Sequence, residues 1–346
     1  MKPQYFIAIL FATSLYWMYL LYAPFLLMIT IASLLAISTA SIHNYFESLF
    51  ESRFFSAALS SVLLALLFFA PLGYFLTTFT ISLKSIEPEA LRRVILYVKT
   101  FIEHPPEYLE FIKPYMSDII KELNINALTS NALSLTATVG AFSAGFLKNA
   151  FLVVVFYFFA QYNGATVMSY IKRVIQLSVD EVSYLTQELS SVMSVVFFSI
   201  LVNAMFQGIL FGVAVAFMGY NGLLFGIMYG FTSLIPIVGG ALLWLPFMIY
   251  EFSIGDSSSA IFIALYSILV ISIAADTFIK PLIIKEINMR LLKEGDAKLD
   301  ELVIFFSIIA GLATFGFWGM ILGPAITAFF LTVLKLFEAR TQEFNI

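Results

Sequence analysis

Residues 220–250 read YNGLLFGIMYGFTSLIPIVGGALLWLPFMIY, a run of 31 positions with no charged side chain. Its centre, Leu234-Ile235-Pro236-Ile237-Val238-Gly239-Gly240, cannot continue a helix comfortably. Proline withdraws a backbone donor and biases the residue before it away from helical angles, and paired glycines add no helical preference. The stretch therefore reads as two short apolar helices around a break. A second stretch repeats the design. Residues 301–334 run for 34 positions, are broken around Phe315-Gly316-Phe317-Trp318-Gly319, and carry Gly323-Pro324 shortly after.

The rest of the chain says what solvent such stretches meet. Of 346 residues, 61% are hydrophobic and 12% charged, and the mean hydropathy is +0.97. A soluble domain of this length must still wet its outside, so the solvent of this chain is lipid. That composition excludes a soluble enzyme, a nucleic-acid binder and a disordered scaffold. The 18 basic residues are scattered and the net charge is -4, which leaves no polycationic face for phosphates. Cysteine is absent, so disulfides, thiolate metal sites and cysteine nucleophiles are excluded. His43 and His104 lie far apart, and no ligand-spaced cluster calls for a metal or a cofactor. No Ser–His pair, carboxylate pair or metal cluster stands at a usable spacing, so no enzyme is expected.

The expected fold is all-α: a polytopic integral membrane protein of about eight hydrophobic segments, two of them broken or re-entrant hairpins, plus an amphipathic extramembrane arm. Residues 1–80 hold the N-terminal spans. The run 6–22 follows Lys2 much as a signal peptide would, but it is long, lacks a small-residue cleavage site and is followed at once by 25–41, so it reads as a retained span. A break at Pro24, a polar loop from His43 to Arg53 and a span over 56–80 complete this part. Residues 81–145 form the arm. The segment 84–126 carries six basic and seven acidic residues, and Leu91, Val94, Ile95, Val98, Phe101 and Ile102 share one helical face. Pro105-Pro106 ends that helix, and a second amphipathic helix is expected over 108–123. Residues 146–199 combine a span near 146–162 with an amphipathic linker helix. Residues 200–334 form a transport unit containing the two opposed hairpins, and 335–346 form a tail.

Charge orients these pieces. Lys2, Lys172 with Arg173, the five basic residues of 280–300, and Lys335 with Arg340 all read as cytoplasmic, while the 251–258 loop has only Glu251 and Asp256. If 220–250 crossed fully, the basic loop 280–300 would land on the wrong side. A hairpin that dips in and returns satisfies every charge, and the same logic makes 301–334 a hairpin from the opposite face. Both termini are then cytoplasmic. Broken segments from opposite faces are a transporter signature, because they carry free backbone groups to the middle of the membrane.

The residues of 200–330 resemble the autoinducer-2 exporter (AI-2E) family. The resemblance rests on Ile235-Pro236-Ile237-Val238-Gly239-Gly240 with Pro246, on Gly219, Gly226 and Gly230 before them, and on Gln207-Gly208. It extends to Asp276 with Pro281, to Gly311, Phe315-Gly316 and Gly319, and to Gly323-Pro324. The chain departs from the family pattern at Gly240, Lys285 and Leu299. The resemblance implies a bacterial inner-membrane exporter of a small polar solute, of the type of the signalling molecule autoinducer-2, in a homo-oligomer with a pentamer as one expected size. Some members are associated with sodium/proton antiport.

Several side chains are candidates for a solute or ion pathway. Asp276 is the one acidic residue well inside an expected span. It reads either as a proton or sodium site or as the partner of Lys280, one helical turn on. Asn203 and Gln207 share a helix face, Asn203 reading as helix-to-helix glue and Gln207 as a solute contact. Thr232 and Ser233 precede the Pro236 break and either face a cavity or cap the half-helix. The expected pathway runs past Pro236, Gly239 and Gly240 and past Gly316, Gly319, Gly323 and Pro324, with Asp276, Lys280 and Pro281 alongside. Lys148 and Glu251 read as interfacial. An oligomeric pore and a membrane assembly factor remain as rival readings.

Overall fold

A computed structural model describes residues 3–85, 88–105, 110, 125–174, 179–235, 238–279 and 301–344. Among these residues the chain is helical, with no strand. In chain order the helices are α1 (Pro3–Tyr22), α2 (Leu26–Ser38), α3 (Ala40–Phe50), α4 (Arg53–Ser85), α5 (Pro88–Glu103), α6 (Ile125–Val174) and α7 (Val179–Phe217). Then come α8 (Gly222–Thr232), α9 (Ala241–Ser253) and α10 (Ser257–Leu265), which continues as a π-helical run, Tyr266–Ile279. Last are α11 (Glu301–Phe315), a 3₁₀ turn (Gly316–Trp318) and α12 (Gly319–Phe344). Five described stretches are long and apolar enough to cross a bilayer, or six if α2 and α3, bent by 64°, count as one. The chain is an all-α integral membrane protein.

Three expectations are refined. The break at Pro24 holds, as a turn between α1 and α2, but the polar loop expected from His43 is the helix α3. No glycine or proline interrupts 40–50, and the helix stops only where Glu51 takes the left-handed conformation (φ 51°). The span expected over 146–162 is the middle of α6, which runs for 50 residues, about 75 Å. The Ser-, Thr- and Ala-rich stretch before it contains no proline, so nothing stops the helix there. From Val179 on, the expected linker helix and the following span likewise merge into α7, while residues 170–174 end α6. The amphipathic helix over 91–102 forms as α5 and ends at Glu103, ahead of Pro105. The second arm helix, 108–123, lies outside the described residues except for Glu110.

Packing divides the molecule around α7. Its first half joins the N-terminal helices: Met193 and Phe197 are buried with Ile31 and Leu35 of α2, Leu64 of α4, Val153 and Tyr157 of α6, and Ile321, Leu322 and Ala325 of α12. Its second half joins the first hairpin: Phe211, Ala214 and Val215 are buried with Tyr229 of α8, Leu243 and Phe247 of α9, and Ile263 and Ile271 beyond. The α2–α3 bend is pinned from α6. The Thr39 hydroxyl donates to the Leu35 carbonyl (2.6 Å), so the Tyr157 hydroxyl donates to Thr39 Oγ1 (2.7 Å) and accepts from Gln161 Nε2 (3.0 Å). Substituting Tyr157→Phe removes two of these hydrogen bonds, while Thr39 keeps the Leu35 carbonyl and Gln161 keeps the Ala36 carbonyl at 3.3 Å. Thermal unfolding in detergent should show a loss of about 1–2 kcal/mol, with no change in helix content.

Candidate functional site

Both broken stretches reverse the chain. In the first, α8 and α9 lie side by side and antiparallel. The ring centroids of Phe225 and Phe247 are 5.2 Å apart, those of Tyr220 and Phe247 5.0 Å, and Tyr229 packs over Gly240. With 11 and 13 residues these helices reach only about 16 and 20 Å, less than the roughly 30 Å of a bilayer core. The Asn221 side chain caps α8 by accepting from Leu224 N–H at 3.0 Å, and it also bonds the Tyr74 hydroxyl of α4. In the second hairpin the chain turns at Gly316, whose φ of 63° suits glycine, and α12 runs back along α11. The 302–335 stretch would pass for one long span by length and composition. Its backbone contacts say otherwise. A methyl group on Gly311 would strike the Gly319 carbonyl, and one on Gly323 would strike the Ser307 carbonyl.

Glycine also sets how closely the first hairpin sits on α7. Methyl carbons at Gly208 and Gly226 would lie 2.6 and 2.8 Å from each other's carbonyl oxygens, and Gly212 faces Gly222 in the same way. The fourfold spacing of Gly222, Gly226 and Gly230 is thus a backbone-to-backbone seam.

Beside this seam is a cavity of about 700 Å³. Its floor is the small-residue face of α7, from Ala204 through Gly208 and Gly212 to Ala216, and Leu67 and Pro71 of α4 close one side. Phe231 and Leu234 reach it from the tip of the first hairpin. Phe317, Met320 and Ile321 reach it from the tip of the second. The two hairpin tips therefore flank one apolar chamber that is open along Met205, Ile209, Val213 and Leu223, which are 48–62% exposed, and its side chains carry no charge.

The pathway candidates fall around this chamber unevenly. Gly208 lines it, whereas Gln207 is buried one position before, donating to Asn203 Oδ1 at 3.4 Å. The Thr232 and Ser233 hydroxyls bond back to the carbonyls of Tyr229 (3.1 Å) and Gly230 (2.8 Å), closing the last turn of α8. Gly239 is buried in the hairpin turn, where a methyl group would strike the carbonyls of Thr232 and Ile235. Gly240 lies under the Tyr229 ring. Gly316 is exposed at the second tip, Gly319 and Gly323 hold α12 to α11, and Pro324 is buried within α12. Pro236, Lys280 and Pro281 lie outside the described residues. Asp276 belongs by its backbone to the π-helical run, and its side chain is likewise outside them. Among the described residues no group of three or more His, Asp or Glu is placed to hold a metal.

Sequence reading missed the chamber's bulky walls, Phe231, Leu234, Phe317 and Met320. Among 38 phenylalanines, single apolar residues carry no distinguishing signal. The glycine period on α7 and α8 did mark the wall they face.

Comparison with known proteins identifies the family. The pattern of the AI-2E family transporter matches residues 5–339. A Helicobacter pylori (strain ATCC 700392 / 26695) protein named "Putative transport protein" is 35% identical over 341 residues, covering 98% of this chain and 97% of its own length. Its counterpart in strain J99 is 34% identical, covering 98% and 96%. A protein of the same name in Aquifex aeolicus is 26% identical over 254 residues, covering 69% of this chain and 67% of its own.

Proposed function

We propose, from the fact that the chain belongs to the AI-2E transporter family, that it exports a small solute across the bacterial inner membrane by alternating access at the shared chamber. The observation that carries this reading is the meeting of both hairpin tips on one cavity of about 700 Å³. Two hairpins whose tips border one cavity can each act as a gate, and the glycine seam between α7 and α8 is smooth enough to slide. In this reading both termini are cytoplasmic.

The chamber also bears on the solute. Its side chains offer no hydrogen bonds, so a small polar molecule of the autoinducer-2 type would be held by main-chain groups at the hairpin turns. Apolar walls favour a solute that presents a substantial apolar face. Flux measured in proteoliposomes for autoinducer-2 and a graded set of less polar analogues separates the two.

The absence of cysteine makes the gating test direct. Single cysteines at Leu234 and Met320 are labelled in oriented vesicles with a membrane-impermeant maleimide from each face. Each position should react from either side, and conditions that trap one state should suppress one side only. Positions sealed from both faces sink the proposal. Positions open to both faces at once, with ohmic currents, replace it with the pore. A second reading, sodium/proton antiport through Asp276, is supported by that residue's place in a π-helical run, since π-helical turns cluster at functional sites.

A further inference from the structure

The open flank of the chamber has a shape of its own. Where Gly208 and Gly226 bring the backbones of α7 and α8 together, no side chain stands between the two helices. The side chains beside this seam project away from it. Met205, Ile209 and Val213 recur every four residues along α7, and Leu223, Ile227 and Phe231 do so along α8, so each trio forms one stripe. Both stripes line the chamber and make a groove of it. The α7 stripe lies in the second half of the apolar stretch Leu189–Phe217, one of those long enough to cross a bilayer, so the groove opens toward acyl chains. Among the described residues nothing covers Met205, Ile209 or Leu223. The two longer stretches outside them carry charges throughout, such as Lys113, Asp118 and Lys121 in 111–124 and Lys285, Arg290 and Lys293 in 280–300. A charged segment is a costly cover for an uncharged groove at membrane depth.

The two ends of the groove differ. Beyond Ala204 the lining passes to buried or half-buried residues, Phe197, Leu201 and Met320 among them. The opposite end reaches Ala216 and Gly222, next to the exposed Asn221, whose Nδ2 donates to the Tyr74 hydroxyl of α4 at 3.2 Å. Between Ala204 and Ala216 the α7 backbone rises about 18 Å. One leaflet of a bilayer core of roughly 30 Å is about 15 Å deep. The groove is thus one leaflet long, apolar along its length, and polar where a lipid chain would join its ester, the level at which tyrosine is favoured. We propose that it holds one acyl chain of a bilayer phospholipid, the terminal methyl toward Phe231 and Met320 and the glycerol end beside Asn221 and Tyr74. The bound chain supplies the wall that the chamber lacks, and a solute in transit must displace it. That consequence rests on the transport reading; the binding does not.

The test uses the full-length protein in vesicles of phosphatidylethanolamine and phosphatidylglycerol. A phosphatidylethanolamine with a diazirine on one acyl chain is added in increasing proportion, illuminated, and its adducts located in peptides. Adducts on 204–216 and 223–234 should saturate at one per protomer. Adducts on the exposed Phe329 and Phe330 of α12 should grow in proportion to the probe, as for any lipid-facing surface. Val213→Trp narrows the groove from a half-exposed position. It should lower the groove adducts by about tenfold and leave those on α12 unchanged. Should that variant not fold, Leu223→Trp fills the same flank from α8. Groove adducts that never saturate, or that neither variant lowers, overturn the proposal. So does a benzophenone on a single cysteine at Ile209 that captures a second copy, or another segment of this chain, in place of lipid. The measurement contains no transported solute. Saturating, variant-sensitive adducts in a protein without flux would defeat the transport reading alone, and normal flux without saturation would defeat the acyl-chain site alone.

Discussion

Gly319→Ala should cost this protein most of its folded yield. The second hairpin is held by glycine backbones in contact: a methyl group at Gly319 would strike the Gly311 carbonyl and come within 2.9 Å of the Leu312 nitrogen. Both obstacles are main chain, so no side chain can swing aside. The hairpin must open, and opening it withdraws Ile321, Leu322 and Ala325 from the core they share with α2 and α6. Overpacking usually costs about 1–3 kcal/mol, and a backbone obstacle belongs at or above the upper end. Two controls set the scale. Gly316→Ala meets no atom within 4 Å but must hold a φ of 63°, so it should lose only about 1–2 kcal/mol. Gly145→Ala meets no atom within 4 Å and lies inside α6, where alanine is the better helix former, so it should be neutral or stabilising by up to about 1 kcal/mol. Detergent melts and the monodisperse fraction after purification rank the three. Equal losses at Gly319 and Gly145 would mean that α11 and α12 do not pack as a hairpin.

The same contrast explains what the sequence could and could not disclose. Both hairpins were legible because glycine marks their turns, Gly239 in the first and Gly316 in the second, and leaves the same mark in any context. The seam was legible through Gly222, Gly226 and Gly230. The helix α3 was not: His43, Asn44 and Glu47 make its residues look like a loop, and the helix packs on α4, a partner that no local pattern names. The length of α6 was hidden because Ser, Thr and Ala are compatible with a span, a loop or a water-facing helix alike. The burial of Glu251 was hidden for a related reason. A carboxylate at the end of an apolar arm normally meets water, and its burial depends on Tyr220, distant in sequence, and on the α5 helix, whose Tyr97 covers the neighbouring Phe252. The chamber's walls depend on the rotation of α7 about its own axis, which no local pattern sets: Gly212 lines the chamber while Phe211, about 100° around the helix, is fully buried against Tyr229.

If the chamber is the route, filling it should stop flux without unfolding the protein. Leu234→Trp is the variant to make. Leu234 is half-buried at the tip of the first hairpin and lines the cavity together with Phe317 and Met320 of the second. An indole there extends into a space of about 700 Å³, so the larger side chain finds room rather than backbone. Its stability cost should stay under about 1.5 kcal/mol, within the range of tolerated apolar exchanges. Transport is held to a stricter standard, because solute and indole compete for the same volume at the moment both gates are shut. Each 1.4 kcal/mol of overlap lowers the occluded population about tenfold, so flux of the panel member that wild type moves fastest should fall by about tenfold or more. Phe217→Trp is the matched control, since Phe217 is 87% exposed on α7 and away from the chamber; its flux should equal that of wild type. A normal rate in Leu234→Trp would put the pathway elsewhere and leave the chamber as a packing space. A lost rate with an unchanged melting temperature ties transport to the volume between the two hairpin tips.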